Sequence, residues 1–172
     1  GMVATVPYQF AIRLSAYARM LAEGTASGVD AVTVRIQGEH PEKISAWLKR
    51  VTEIQAVATF PLGVLIFIAA PTLFEVWLGP VLSRSPGLLE STSLVTRLMV
   101  IQMMVRALAD GWIRVFYGLG LVERYARLVA ISGVLQPIII VAAAGILGPV
   151  FVMPAVVLVV VTSFTQLLFI PL

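Results

Sequence analysis

The last 45 residues of the chain, 128–172, contain no charged side chain. At about 1.5 Å per residue, a continuous helix of that length would be roughly 68 Å long, whereas the hydrocarbon core of a bilayer is about 30 Å thick. One crossing cannot accommodate such a segment. Two glycines and a proline within 145–149 favour a tight reversal. The sequence therefore predicts two membrane-spanning helices here, over 122–145 and 150–170.

The composition excludes several classes of protein. Of the 172 residues, 59% are hydrophobic and 12% are charged, whereas an ordinary soluble domain has about 25% charged residues. A soluble domain must cover its surface with polar groups, so it cannot hide this much apolar surface in one core. The chain has no cysteine, which also excludes a disulfide scaffold. We predict an all-α, polytopic transmembrane helical bundle.

Three further segments complete the predicted bundle. Residues 54–74 form an uncharged run of 21 residues between Glu53 and Glu75, which is long enough to cross a bilayer. The other two segments, 91–117 and 3–36, contain charged residues within an otherwise apolar pattern. A pair of glycines four apart, Gly24 and Gly28, would let a second helix approach the first segment closely or let that segment bend. The five predicted spans are 3–36, 43–74, 91–117, 122–145 and 150–170.

The basic residues predict the orientation of these spans. They concentrate around the first and third connections, whereas the second connection has Arg84, with Arg97 just inside the membrane, and the fourth has none. Because Lys and Arg are enriched in cytoplasmic loops, we expect the first and third connections, and the carboxyl terminus, to be cytoplasmic. The eight residues concerned are Arg35, Lys43, Lys49, Arg50, Arg106, Arg114, Arg124 and Arg127.

Sequence patterns of enzymes, metal sites and nucleic-acid sites are missing. The only histidine, His40, lies in a turn before the second predicted span, where a loop or capping role is more typical than metal ligation. The sequence contains no glycine-rich phosphate loop, HExxH or GxSxG motif. The basic residues follow the ends of spans rather than a patch interleaved with aromatics. We therefore predict no catalysis, no metal or other cofactor, and no nucleic-acid partner.

Charged and amide side chains inside the predicted spans are the candidate binding residues. Such residues mark functional sites in membrane proteins, and the planar guanidinium of arginine binds phosphate oxygens in pairs. A structural alternative is that the arginines form i,i+4 ion pairs or extend to lipid headgroups. The candidates for ligand binding are Gln9, Arg13 and Arg19 in the first span, and Arg106 and Asp110 in the third.

Short motifs in the chain resemble the carboxyl-terminal half of the polysaccharide flippases of the multidrug/oligosaccharidyl-lipid/polysaccharide exporter superfamily. The most specific is residues 69–79, Ala-Ala-Pro-Thr-Leu-Phe-Glu-Val-Trp-Leu-Gly, at the end of the second span. The other motifs are residues 8–14, 38–43, 60–64 and 116–120, and their order along the chain is similar to that of the family. One departure is that 31–34, near the end of the first span, lacks the proline that the family often has there.

The resemblance implies a fold and a function. It places the five spans in the second lobe of a two-lobed transporter, so the first lobe would be a missing partner and the chain a fragment. The start inside a span, and the end at Pro171 and Leu172 without a basic flank, agree with that expectation. The implied activity is the translocation of isoprenoid-pyrophosphate-linked oligosaccharide across a bacterial plasma membrane by alternating access. Arg13 and Arg19 would offer positive charge to the pyrophosphate, and Gln9 a hydrogen bond.

Two other functions remain open at this stage. A multidrug exporter of the same superfamily would require carboxylates for its cationic substrates, whereas arginines predominate in the central spans. A membrane scaffold or assembly subunit without transport activity would need only intact helices and lipid contacts.

Overall fold

The computed structural model describes residues 2–82, 87–148 and 152–167. All regular structure in this part of the chain is helical, which confirms the predicted all-α bundle. The six helices are α1 (Met2–Thr25), α2 (Val29–Ile36), α3 (Pro41–Leu82), α4 (Leu88–Gly118), α5 (Val122–Leu147) and α6 (Met153–Leu167).

Within the described residues, three helices are long and apolar enough to cross a membrane, over Pro41–Gly79, Leu88–Gly118 and Tyr125–Ile146. They make the chain a multi-pass membrane protein. A fourth apolar stretch, Met153–Thr165, is shorter, and the predicted span to residue 170 runs beyond the described residues. Arg84 and the end of the predicted reversal at 149 also lie outside them. Helix α1 is not among the three, because its polar and charged residues lower its hydropathy.

The predicted first span is two helices rather than one. Helix α1 ends at Thr25 and α2 begins at Val29. Between them Gly28 adopts a left-handed conformation with φ of 84°, in which an L-residue is disfavoured by roughly 1–2 kcal/mol. The prediction of one continuous span over 3–36 was therefore wrong. The glycine pair noted in the sequence marks the place where the chain turns.

Helix α4 is the centre of the bundle, with α1 and α3 packed along it. Successive residues of α1 contact successive residues of α4, so these two helices run parallel. Helix α3 contacts α4 in the reverse order, so it runs antiparallel to α4. Helix α6 packs on the first part of α4 and against α5. The buried clusters that give this order are Ala11, Val95, Met99 and Ala155; Ala18, Ile66, Val100 and Met103; and Ala26, Val29, Val51 and Val115.

Glycines set the register of α3 on α4. A Cβ placed on Gly111 would lie 2.8 Å from Cγ1 of Val51 and 3.2 Å from Cγ of Gln55. A Cβ placed on Gly63 would lie 2.6 Å from the sulfur of Met104. Small residues at such positions permit helices to approach this closely.

Several of the threonine hydroxyl groups buried in this apolar bundle bond to their own helices. Thr33, Thr96 and Thr165 each donate to the carbonyl four residues earlier, at 2.7, 2.9 and 2.7 Å. Because a buried hydroxyl without a partner is costly, this local bonding lets these three threonines occupy the packed interior.

Candidate functional site

The site lies where the second half of α1 meets the second half of α4. Asp110 of α4 stands between two arginines. Its Oδ2 is 3.8 Å from Nε of Arg19 on α1, and its Oδ1 is 4.0 Å from Nε of Arg106, one turn earlier on α4. The parallel packing of α1 on α4 produces this arrangement. The structure thus brings together three of the five residues that the sequence indicated.

Both arginines keep part of their hydrogen-bonding capacity. Nε of Arg19 lies 2.6 Å from Oε1 of Glu23, an i,i+4 ion pair. Within the described part of the chain, the buried Nε atoms of Arg19 and Arg106 make no hydrogen bond. Each arginine side chain is 37% exposed, whereas that of Asp110 is 17% exposed. The carboxylate is therefore largely enclosed, and the two guanidinium groups border open space.

That space is an open pocket of about 370 Å³. Helix α2 reaches it because the chain turns at Gly28, and α5 closes the other side. Three arginines and three carboxylates face each other around it. The lining residues are Arg19, Glu23, Asp30, Arg106, Asp110, Ile113, Arg114, Tyr117 and Tyr125.

Arg114 is the third basic residue of this pocket, one turn beyond Asp110. It is half-buried and has no carboxylate within ion-pair distance among the described residues. Of the three arginines, it is the one whose charge is balanced by no direct contact with a carboxylate in the described part of the chain.

Aromatic rings hold α5 against the end of α4 beside the pocket. Trp112 packs edge-to-face on Tyr125, with ring centroids 6.2 Å apart and planes at 90°. Tyr117 meets Tyr125 in the same manner at 6.2 Å and 83°. Edge-to-face pairs stabilise by about 0.5–1.5 kcal/mol beyond burial alone. The pocket wall formed by Tyr117 and Tyr125 is therefore anchored by its aromatic contacts.

The register of α3 places the pocket relative to the apolar layer. Gly111 lies beside Val51 and Gln55, next to the start of the uncharged run 54–74, and Met104 lies beside Gly63. Along α4, Arg106 lies between Met104 and Gly111, so it is alongside the first third of the uncharged run. Asp110 is level with its beginning. The pocket consequently lies at one end of the apolar layer, with Arg106 extending into it.

Gln9 and Arg13, the other two predicted residues, lie elsewhere. Both side chains are exposed and neither lines the pocket. Arg13 is located between Ala11 and Ala18, which pack on the first half of α4. Six residues separate it from Arg19, or about 9 Å along the helix. The role of these two residues in ligand binding stays a prediction.

Several pocket residues were missed by the sequence reasoning. The sequence analysis did not single out Tyr117, Tyr125 or Asp30. The signal for Asp30 was the glycine pair, because a turn at Gly28 brings the first residues of α2 back towards α4 and α5. His40 is exposed in the turn before α3, where its carbonyl accepts from the backbone N–H of Lys43 at 2.9 Å. No cluster of three metal-ligating side chains occurs in the described residues.

The comparisons with known proteins identify no relative. Protein-family models, curated proteins and solved structures all lack a match to this chain.

Proposed function

We propose that this chain is the second-lobe portion of a membrane flippase for an isoprenoid-pyrophosphate-linked oligosaccharide. The observation that carries the proposal is the pocket in which Arg19 and Arg106 meet at the edge of the apolar layer. A lipid-linked pyrophosphate has an anionic group directly joined to an apolar chain. Its recognition requires guanidinium groups at the depth where headgroup and hydrocarbon meet.

The charge arrangement of the pocket favours reversible binding of an anion. Asp110 partly neutralises Arg19 and Arg106, at 3.8 and 4.0 Å. Charge-assisted hydrogen bonds from arginine to phosphate oxygens are short and often paired. Arg114 adds a cation that no carboxylate engages in the described part of the chain. The volume of about 370 Å³ is within the range of small-molecule sites, about 300–1,000 Å³.

In this proposal the end of the bundle that carries the pocket faces the cytoplasm of a bacterial plasma membrane. Lys43, Lys49 and Arg50 near the start of α3 are at the same end, in keeping with the positive-inside rule. The first lobe would complete the cavity, and rocking between lobes would carry the headgroup outwards. Exposed Arg13 would then face the cavity between the lobes.

Two of the three carboxylates of the pocket are already paired with arginines, which disfavours a multidrug cation exporter. Glu23 and Asp110 both lie within 4.0 Å of an arginine. An organic cation would have to displace that arginine to reach either of them.

A direct binding experiment tests the headgroup site. The full chain in lipid nanodiscs is titrated with a radiolabelled short-chain isoprenyl pyrophosphate, with the corresponding isoprenyl alcohol as an uncharged comparison. Hydrogen bonds to charged groups contribute about 1.5–3 kcal/mol each, so Arg19→Gln/Arg106→Gln should raise Kd at least about tenfold. Arg50→Gln is the matched control, because it removes one exposed charge at the same end of the bundle.

Two results would contradict the proposal. One is equal affinity for the alcohol and the pyrophosphate, which would leave a scaffold function as the better explanation. The other is unchanged sugar export by cells in which the full-length gene carries Arg19→Gln/Arg106→Gln. Arg13→Gln distinguishes the two arginine positions on α1, since it should impair export without weakening headgroup binding to the isolated chain.

A further inference from the structure

A proline opens a gap in the hydrogen-bonding pattern of α3. Pro71 lies in the interior of this helix. Because proline has no backbone N–H, it cannot donate to the carbonyl of Phe67 four residues earlier. In a membrane the carbonyl then needs a donor from within the protein, since lipid supplies none.

Arg97 of α4 supplies that donor. Its Nε donates to the carbonyl oxygen of Phe67 at 3.1 Å. The guanidinium carbon also lies 5.3 Å from the centroid of the Phe67 ring, within the range of about 6 Å for a cation–π interaction. Two interactions with one residue of α3 therefore hold this side chain.

The position of Arg97 makes this contact unusual. Phe67 belongs to the uncharged run 54–74 and lies eight residues before Glu75, or about 12 Å along the helix. An arginine near the centre of a span is costly to insert into the membrane. No carboxylate lies within 4.0 Å of Arg97 among the described residues. The positive-inside orientation predicted for the spans does not explain the position of Arg97 either, because this residue lies towards the end of the bundle that has few basic residues.

We propose that Arg97 is a positioning residue that latches α3 at the joint opened by Pro71. The part of α3 before the joint is held by the backbone hydrogen bonds of the helix itself. At the joint, the bond that Pro71 cannot make to the carbonyl of Phe67 is replaced by one from Arg97 of α4. Helix α4 thereby fixes the last turn of α3 before the outer segment, 71–82. This inference is independent of the anion pocket, which contains neither residue.

A double-mutant cycle measured by spin labelling tests the latch. The chain has no cysteine, so Val64→Cys and Val76→Cys place labels on exposed positions before and after the joint, roughly 18 Å apart along the helix. In nanodiscs the distance distribution should be narrow. Arg97→Met should at least double its width. Adding Pro71→Ala, which restores a backbone N–H for the carbonyl of Phe67, should return the width to the starting value.

The matched control is Pro61→Ala, on the same helix ten residues from Pro71 and one turn beyond Val57. It restores a different hydrogen bond, so it should leave the broadening caused by Arg97→Met unchanged. The latch is overturned if Arg97→Met leaves the distribution narrow, or if Pro71→Ala fails to reverse the broadening. Should Arg97→Met prevent folding, recovery of monodisperse protein by Pro71→Ala supports the latch, and its failure overturns it.

Discussion

The close approach of α3 and α4 predicts that Gly111→Ala destabilises the bundle, although alanine is the better helix former. Gly to Ala in a helix interior gains about 0.8–1.0 kcal/mol from intrinsic propensity. The added Cβ would lie 2.8 Å from Cγ1 of Val51, and valine is confined to few χ1 rotamers in a helix. Overpacking of this kind costs about 1–3 kcal/mol. The net expectation is a loss of up to about 2 kcal/mol.

A matched glycine separates the two contributions. Gly133 of α5 has nothing within 4 Å of an added Cβ, so Gly133→Ala should show the propensity gain alone. The difference between the two variants then measures the clash, about 1–3 kcal/mol. For a chain of this size that difference corresponds to roughly 2–12 °C in Tm. Thermal unfolding of the purified chain in nanodiscs, followed by circular dichroism, gives both values.

A second substitution tests whether Val51 is the cause. Val51→Ala removes Cγ1, so the methyl group of Gly111→Ala would fill part of the space it leaves. The double variant should therefore be more stable than the sum of the two single losses, by at least about 0.5 kcal/mol. The reasoning is refuted if Gly111→Ala is as stabilising as Gly133→Ala, or if the two losses add.

Three further outcomes follow from the same contacts. Gly118→Ala should lower stability by about 1–3 kcal/mol, because an added Cβ would lie 2.6 Å from Cβ of Thr33 and 2.9 Å from the carbonyl oxygen of Asp30; thermal unfolding would show no loss if α2 were free to move. Gly28→Ala should cost roughly 1–2 kcal/mol at φ of 84°, and an unchanged Tm would argue against the turn between α1 and α2. Asp110→Asn should tighten binding of isoprenyl pyrophosphate about fivefold, since about 1 kcal/mol of repulsion is removed, while lowering Tm; weaker binding in the titration would contradict the assigned role of Asp110.

Hydropathy and charge along the chain were sufficient to locate the long helices. The uncharged run 54–74 lies inside α3, and the predicted spans 91–117 and 122–145 differ from α4 and α5 by three residues or fewer at each end. These boundaries are local, because a helix in lipid must satisfy its own backbone and continues until polar or turn-forming residues intervene. The break in the first span was less accessible, since a glycine pair permits either close packing or a turn.

The sequence by itself determined that this chain is a multi-pass helical membrane protein, and it placed Arg19, Arg106 and Asp110 among the few polar groups in the spans. Only the tertiary structure decided that these three meet, whereas Gln9 and Arg13 lie apart from them. Angular position on one helix follows from the sequence. The register between helices does not, because it depends on contacts such as that of Gly111 with Val51, which no single segment contains. The same holds for Arg97: Pro71 predicts an open carbonyl, but the packing of α3 on α4 determines which donor reaches it.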